Sequence, residues 1–323
     1  MSRESDASQV ALDTMTAYWN LWFAEQALAV EKASLVVTQQ QLTDMRTRFG
    51  LGRVPETDVL RLASQEAVAR QSVVTAEANL NDRQLALARR VGVSLNDAKT
   101  LSAAGMPTAL GQTGSLEVLV QLASESNYEL LQLEEQLAQA KDRVTVAADA
   151  AQPRLDLWGS FGAGGLWTED DPPGLELPGG RPAFVALVGL DFEIPLGEST
   201  ADANYAQARA DQRAVEMRYQ ARSEVLGEDV ATLYRSLETS QLAAKSAAET
   251  AGIAAQLAEK EAHRLRLGSA LVSEVISAQQ SLREAELSRL RAETDVALAA
   301  LQLDHATGQL LTRLALSIPE YQQ

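Results

Sequence analysis

Two stretches of this chain match each other at a constant distance of 216 residues, without a gap. Asp13 pairs with Asp229, Thr16 with Thr232, Tyr18 with Tyr234 and Leu21 with Leu237. Further on, Gln40 pairs with Gln256, Arg48 with Arg264, Gly52 with Gly268, Val59 with Val275 and Gly92 with Gly308. Chance matching between two Ala/Leu-rich helices would produce coincidences mostly at Ala and Leu. Here Arg, Asp, Tyr and Gly coincide as well, so the pairing is read as an internal repeat, and a repeat sets the architecture.

Within each copy the pattern is a long helix, a short turn, a long helix and a glycine. Residues 5–47 carry Leu12, Met15, Trp19, Trp22 and Phe23 at steps of three and four, as a buried helical stripe requires. Residues 57–91 continue through Val59, Leu62, Val73, Leu80 and Leu87. Only "RFGLGRVPETDVL" (48–60) separates the two, which predicts an antiparallel helical hairpin. In the second copy the helix over 201–264 would span on the order of 90 Å, the turn is "RLRLGSALVSEV" (264–275), and a last helix covers 272–314.

Between the copies lie a Gly- and Pro-containing loop, a third helix over 115–150, and then a change of character. "PRLDLWGSFGAG" (153–164) alternates Leu155, Leu157, Gly159 and Phe161 with Arg154, Asp156, Trp158 and Ser160, as a strand with two unlike faces does. After the polar loop "LWTEDDPPGLELPGGRP", a second strand places Phe184, Ala186, Val188, Leu190 and Phe192 on one face, and Pro195 ends it. The expected fold class is mainly α with a small β part. The expected segments are 1–93 (first helical hairpin), 94–117 (linker), 118–152 (helix), 153–197 (β-hairpin with loop 164–182), 198–314 (second helical hairpin) and 315–323 (tail).

Composition excludes several functions. The net charge of −16 leaves no basic surface to neutralise phosphates, so nucleic acid is not an expected partner. There is no cysteine, which removes disulfides and thiolate metal sites, and His263 and His305 are too far apart in sequence to suggest a metal cluster. No run of eighteen apolar residues occurs, so no membrane-spanning helix is expected. No phosphate loop, zinc spacing or Ser/His/Asp arrangement appears in a credible context, so neither an enzyme nor a cofactor is expected.

The stretches "QVALDTMTAYWNL" (9–21), both turns, the helix ends "RRVG" and "HATG" and the strand exit "FEIPLG" together resemble the TolC family of outer-membrane efflux proteins. That resemblance implies a homotrimer whose protomers supply strands to a shared outer-membrane β-barrel and helices to a periplasmic α-barrel. It implies a passive duct in a tripartite efflux or type I secretion system, with a periplasmic adaptor protein, an inner-membrane pump and outer-membrane lipid as partners. By the repeat offset the first copy's β-hairpin would lie upstream of residue 1, so the chain reads as lacking the N-terminal part of the first repeat. The alternative reading is a coiled-coil scaffold or adaptor outside the membrane, which has no use for the 153–197 hairpin.

The resemblance also implies site residues. Leu51, Gly52, Leu267 and Gly268 would be the periplasmic tips that meet the adaptor. Thr57, Asp58 and Glu274 would ring the pore entrance, where acidic side chains attract cations. Asp58 and Glu274 also suit the first turn of a helix, where the macrodipole favours negative charge. The Tyr and Arg that lock the tip in better-known members are replaced by Leu265 and Ala270, and a second acidic position is Ser277. Arg48 and Arg264 are expected to cap last-turn carbonyls, Tyr18 and Tyr234 to pack, and Trp158 and Trp167 either to pack or to sit at a membrane interface.

Overall fold

The computed structural model describes residues 2–94, 96–105, 114–165, 182–193 and 200–316. In chain order these form α1 (Ser2–Gly50), α2 (Glu56–Val91), a single 3-10 turn (Ala98–Thr100), α3 (Leu116–Ser126), α4 (Tyr128–Ala150), β1 (Arg154–Gly165), β2 (Pro182–Glu193), α5 (Thr200–Arg266), α6 (Val272–Ala306) and α7 (Leu310–Arg313). They fall into two compact units: Met1–Gln132 with Ala221–Gln323, and Leu133–Gln220.

In the first unit, α1 carries its buried side chains at Ala24, Leu28, Glu31, Thr38, Leu42 and Met45, steps of three, four and seven that make a coiled-coil seam. On α2 the same rhythm runs through Leu62, Ala69, Val73, Gln84 and Leu87. Aromatic residues concentrate at the far end of the hairpin from the turn. There Trp19, Trp22 and Ala11 pack with Leu290, Ala297, Leu301, Leu310 and Leu311. Tyr18 meets Trp19 edge-to-face at 4.8 Å, a favoured arrangement of two ring quadrupoles. Tyr18 therefore packs as expected, and its hydroxyl additionally accepts the Ala104 N–H at 3.0 Å. The Gln84 amide donates to the carbonyls of Lys99 and Leu101, and the Glu25 carboxylate accepts the Ala103 N–H. Residues 99–104 are thus strapped to α1 and α2 by polar groups rather than by a core of their own.

Two helices differ from expectation. The single helix read over 115–150 is two, broken at Asn127. Asn127 has an extended backbone, and its Oδ1 accepts the N–H groups of Glu129 and Leu130 at 3.1 Å, capping α4. Its amide donates to the Ala306 carbonyl at 2.8 Å. One buried side chain thereby satisfies orphan groups of two helices, which offsets the break. The last helix ends at Ala306 instead of reaching 314, because Gly308 turns left-handed at φ 70° and α7 starts afresh.

The second unit contains the sheet. Its register pairs Leu155 with Phe192, Leu157 with Leu190, Gly159 with Val188 and Phe161 with Ala186. Directly paired residues share a face, so the alternations of both strands add into one apolar face. The opposite face holds Arg154, Asp156, Ser160, Asp191 and Glu193, with Leu187 and Val185 among them. Trp158 lies on this second face, opposite Gly189, where an added Cβ would come within 2.6 Å of the indole. Trp158 therefore packs across the partner strand and is not on the apolar face that an interfacial belt would occupy. The strand exit at Pro195, Trp167 and the loop around it, and residues 317–323 lie outside the described residues.

Candidate functional site

The two helix reversals at 50–56 and 266–272 have the same backbone. In the first, Gly52 takes φ 68°, its N–H bonds the Phe49 carbonyl at 2.8 Å and the Arg53 N–H bonds the Arg48 carbonyl at 3.0 Å. In the second, Gly268 takes φ 75°, its N–H bonds the Leu265 carbonyl at 3.1 Å and the Ser269 N–H bonds the Arg264 carbonyl at 2.9 Å. These paired 5→2 and 6→1 bonds are the Schellman ending, and its left-handed residue is one that only glycine adopts without strain. All four positive-φ glycines among the described residues, Gly52, Gly92, Gly268 and Gly308, fall on the repeat: each of the first two stands 216 residues before its counterpart.

Both turns lie against one small core. Leu42, Met45, Val54, Val59 and Leu62 from the first hairpin pack with Leu265, Val272 and Ile276 from the second. Leu265, at the position where the family's tip lock is expected, is thus part of this core. Leu51 and Leu267 project from the two turns, 65% and 70% exposed. Thr57 and Glu274 are exposed and Asp58 is half-buried, each in the first turn of its helix.

The two acidic positions are not equivalent. The Glu274 carboxylate accepts the Leu271 N–H at 3.1 Å, closing the first turn of α6. Leu271 has no side-chain acceptor, so this is half of a reciprocal capping arrangement. Asp58 occupies the matching place on α2, but there the cap residue is Pro55, which has no N–H to give. The Asp58 carboxylate therefore has no capping duty of this kind, and of the two it is the one not tied to its helix end.

Arg48 does more than the sequence foretells. Its guanidinium crosses from α1 to the end of α5, donating to the Leu265 carbonyl at 3.1 Å and the Arg266 carbonyl at 3.4 Å. A cation at a helix C-terminus meets both the orphan carbonyls and the negative end of the dipole. Arg264, its repeat counterpart, folds back on its own turn, donating to both Glu261 carboxylate oxygens and to the Ser269 carbonyl at 3.0 Å. His263 beside it is exposed. Further along, a buried Glu31 on α1 pairs with Arg283 on α6 at 3.0 Å. Gln280 donates to Gln65 at 3.1 Å, so α6 is tied to both helices of the first hairpin. A charge inside a helical seam is visible in sequence, but its partner 252 residues away is not.

No helix among the described residues is long and apolar enough to cross a membrane, and no three or more of their His, Asp and Glu side chains gather as a metal site would require. What the described residues do contain is a β-hairpin with one uncovered apolar face: Leu155, Leu157, Phe161, Val188, Leu190 and Phe192 are each 64–79% exposed.

Long paired helical hairpins with a membrane-suited β element define the class of helical-tunnel outer-membrane proteins. The family model described as outer membrane efflux protein matches residues 119–309, more than half of the chain, and the chain belongs to that family. It is 28% identical to the outer membrane protein TolC of Escherichia coli over 49% of this chain and 32% of TolC. It is 26% identical to the outer membrane efflux protein BepC of Brucella suis over 98% of this chain and 67% of BepC. Among solved structures it resembles a Pseudomonas aeruginosa membrane protein (TM-score 0.77, 20% identity, 95% of this chain and 67% of that one). It also resembles the CmeC outer membrane channel of Campylobacter jejuni (TM-score 0.75, 18% identity, 95% and 64%). The chain thus spans about a third of TolC and about two thirds of the others. Membership in this family assigns the chain to the outer membrane.

Proposed function

We propose that this chain is the wall of a passive export duct: three copies form a channel through the outer membrane and a helical tunnel beneath it. The single observation that carries this reading is the hairpin face of six large apolar side chains. Each buried CH₂ is worth about 0.8 kcal/mol, so leaving that face in water is strongly unfavourable, while a barrel wall turns it to lipid and satisfies its backbone. A coiled-coil scaffold outside the membrane leaves the same face uncovered. The duct does no chemistry, and an inner-membrane pump supplies the energy.

Leu51 and Leu267, presented by the turns of Gly52 and Gly268, are the contacts for a periplasmic adaptor, as exposed apolar tips on a rigid reversal suit such a role. Thr57, Asp58 and Glu274 line the entrance, with Asp58 the chief charge because Glu274 is partly spent on its own helix end.

The test is partition of the whole protein. Leu157→Arg, on the apolar face, is expected to cost on the order of 2–4 kcal/mol at mid-membrane and to remove the protein from the outer-membrane fraction. Ser160→Arg, on the other face, is expected to leave it there. Equal behaviour of the two variants would sink the duct reading. Asp58→Asn is expected to lower cation selectivity of the reconstituted channel more than Glu274→Gln does.

A further inference from the structure

The same arginine occurs at both tips, in two different surroundings. Arg48 has a neighbouring hairpin beside it, and reaches across to that hairpin's helix end. Arg264 makes its described hydrogen bonds within its own hairpin, turning back to Glu261 and Ser269. Because the repeat has no gap, the carbonyls that Arg48 uses have counterparts: Leu265 corresponds to Phe49 and Arg266 to Gly50. A hairpin that joins the next in one direction only makes a head-to-tail interface, which generates a ring when its rotation closes.

We propose that Arg264 donates to the Phe49 and Gly50 carbonyls of the next copy of this chain, repeating between copies the contact that Arg48 makes within one. The proposal rests on the duct reading, which supplies the next copy. A second observation supports it independently of the arginines. Val37 and Gln41 on α1 line the groove that faces α5 and α6. Their counterparts on α5, Ile253 and Leu257, are 68% and 47% exposed. Ile253 is thus more open than its counterpart Val37, which is 45% exposed beside the second hairpin, and the next copy's α1 and α2 are the surface that matches. Phe49 and Gly50 are exposed at the end of α1, so their carbonyls are within reach of a second chain.

Arg264 need not give up every present bond. A guanidinium has five N–H donors, and the described intrachain contacts engage its two terminal nitrogens with Glu261 and Ser269 only. Rotation toward a neighbouring helix end exchanges the ion pair of this half-exposed guanidinium with Glu261 for two helix-end carbonyls.

The chain has no cysteine, so single thiols can be placed at will. Two differently tagged copies of the whole protein are co-expressed, one with Phe49→Cys and the other with Arg264→Cys, and treated in membranes with a short bifunctional maleimide. The expected result is a product carrying both tags, absent when either chain keeps its native residue. Arg48→Cys with Leu265→Cys in one chain is the control and gives only an intrachain product. In parallel, Arg264→Glu is expected to lower the temperature at which the assembly dissociates, while Glu261→Ala, which removes only the intrachain partner, leaves it unchanged. A trimeric mass in detergent without the two-tag product overturns this contact and spares the duct reading. So does an equal loss from Arg264→Glu and Glu261→Ala. A monomeric mass overturns both.

Discussion

Gly92 and Gly308 occupy the same place in the repeat, with φ of 75° and 70°, yet alanine should affect them very differently. At either site an L-residue held left-handed costs about 1–2 kcal/mol. A Cβ on Gly92 meets nothing within 4 Å. A Cβ on Gly308 would lie 2.0 Å from the Ser126 carbonyl oxygen and 2.7 Å from its carbon, both backbone atoms. To restore ordinary contact at about 3.5 Å, Ser126 must withdraw by about 1.5 Å. The next residue is Asn127, whose 2.8 Å bond to Ala306 cannot survive such a shift. Losing that bond beside a buried carbonyl adds about 1–3 kcal/mol. Gly92→Ala should therefore cost about 1–2 kcal/mol and Gly308→Ala about 2–5 kcal/mol. At about 2–4 °C per kcal/mol, the extra ~1–3 kcal/mol should set the two melting temperatures apart by roughly 2–12 °C. Thermal unfolding of the detergent-solubilised protein, followed by far-UV circular dichroism, measures this. If the two variants melt together, the close approach of α6 to the α3–α4 bend is not what holds Gly308, and the reasoning fails.

Three further outcomes are expected. Burial raises the Asp304 carboxyl from 3.8 to about 6, against the pull of Arg313 2.8 Å away. The neutral form is thus favoured in the folded state, and the stability it contributes is complete below pH 4 and lost as pH rises through 6. Asp304→Asn should gain on the native protein by on the order of 2–3 kcal/mol between pH 4 and 7 in denaturant titrations, and a pH-independent difference would contradict this. Arg283→Ala, which leaves Glu31 buried without its cation, should cost about 3–5 kcal/mol, whereas Arg283→Leu with Glu31→Leu should be nearly neutral in a double-mutant cycle. Arg48→Ala should cost about 1–2 kcal/mol by freeing the α5 helix end, and Arg48→Lys should recover only part of it, since an ammonium cannot fork onto two carbonyls; hydrogen exchange at the α5 terminus reads both.

Much of the candidate site is legible in the amino-acid sequence. Turn residues at 52 and 268 announce reversals because only glycine tolerates the geometry, and the first-turn acids follow from the dipole. Even the difference between Asp58 and Glu274 is written there, since Pro55 stands where Leu271 has an N–H. The hairpin's two faces are legible too, because a period of two reports the pleat directly. The break at Asn127 is not: helical sequence runs on either side of it, and what stabilises the bend is an amide bond to Ala306, 179 residues away.

The sequence by itself therefore determined most of the elements, their repeat and the two faces of the β-hairpin, because propensity and periodicity act over a few residues. Only the tertiary structure decided how equivalent residues diverge. Arg48 and Arg264 are the same side chain at the same repeat position, as are Gly92 and Gly308. One arginine has a neighbouring helix end and the other has its own turn; one glycine faces open space and the other a backbone carbonyl. Nothing local distinguishes the two glycines; for the arginines, Glu261 and Ser269 stand where the first copy has Met45 and Arg53, and the helix end beside Arg48 is brought there by the rest of the chain.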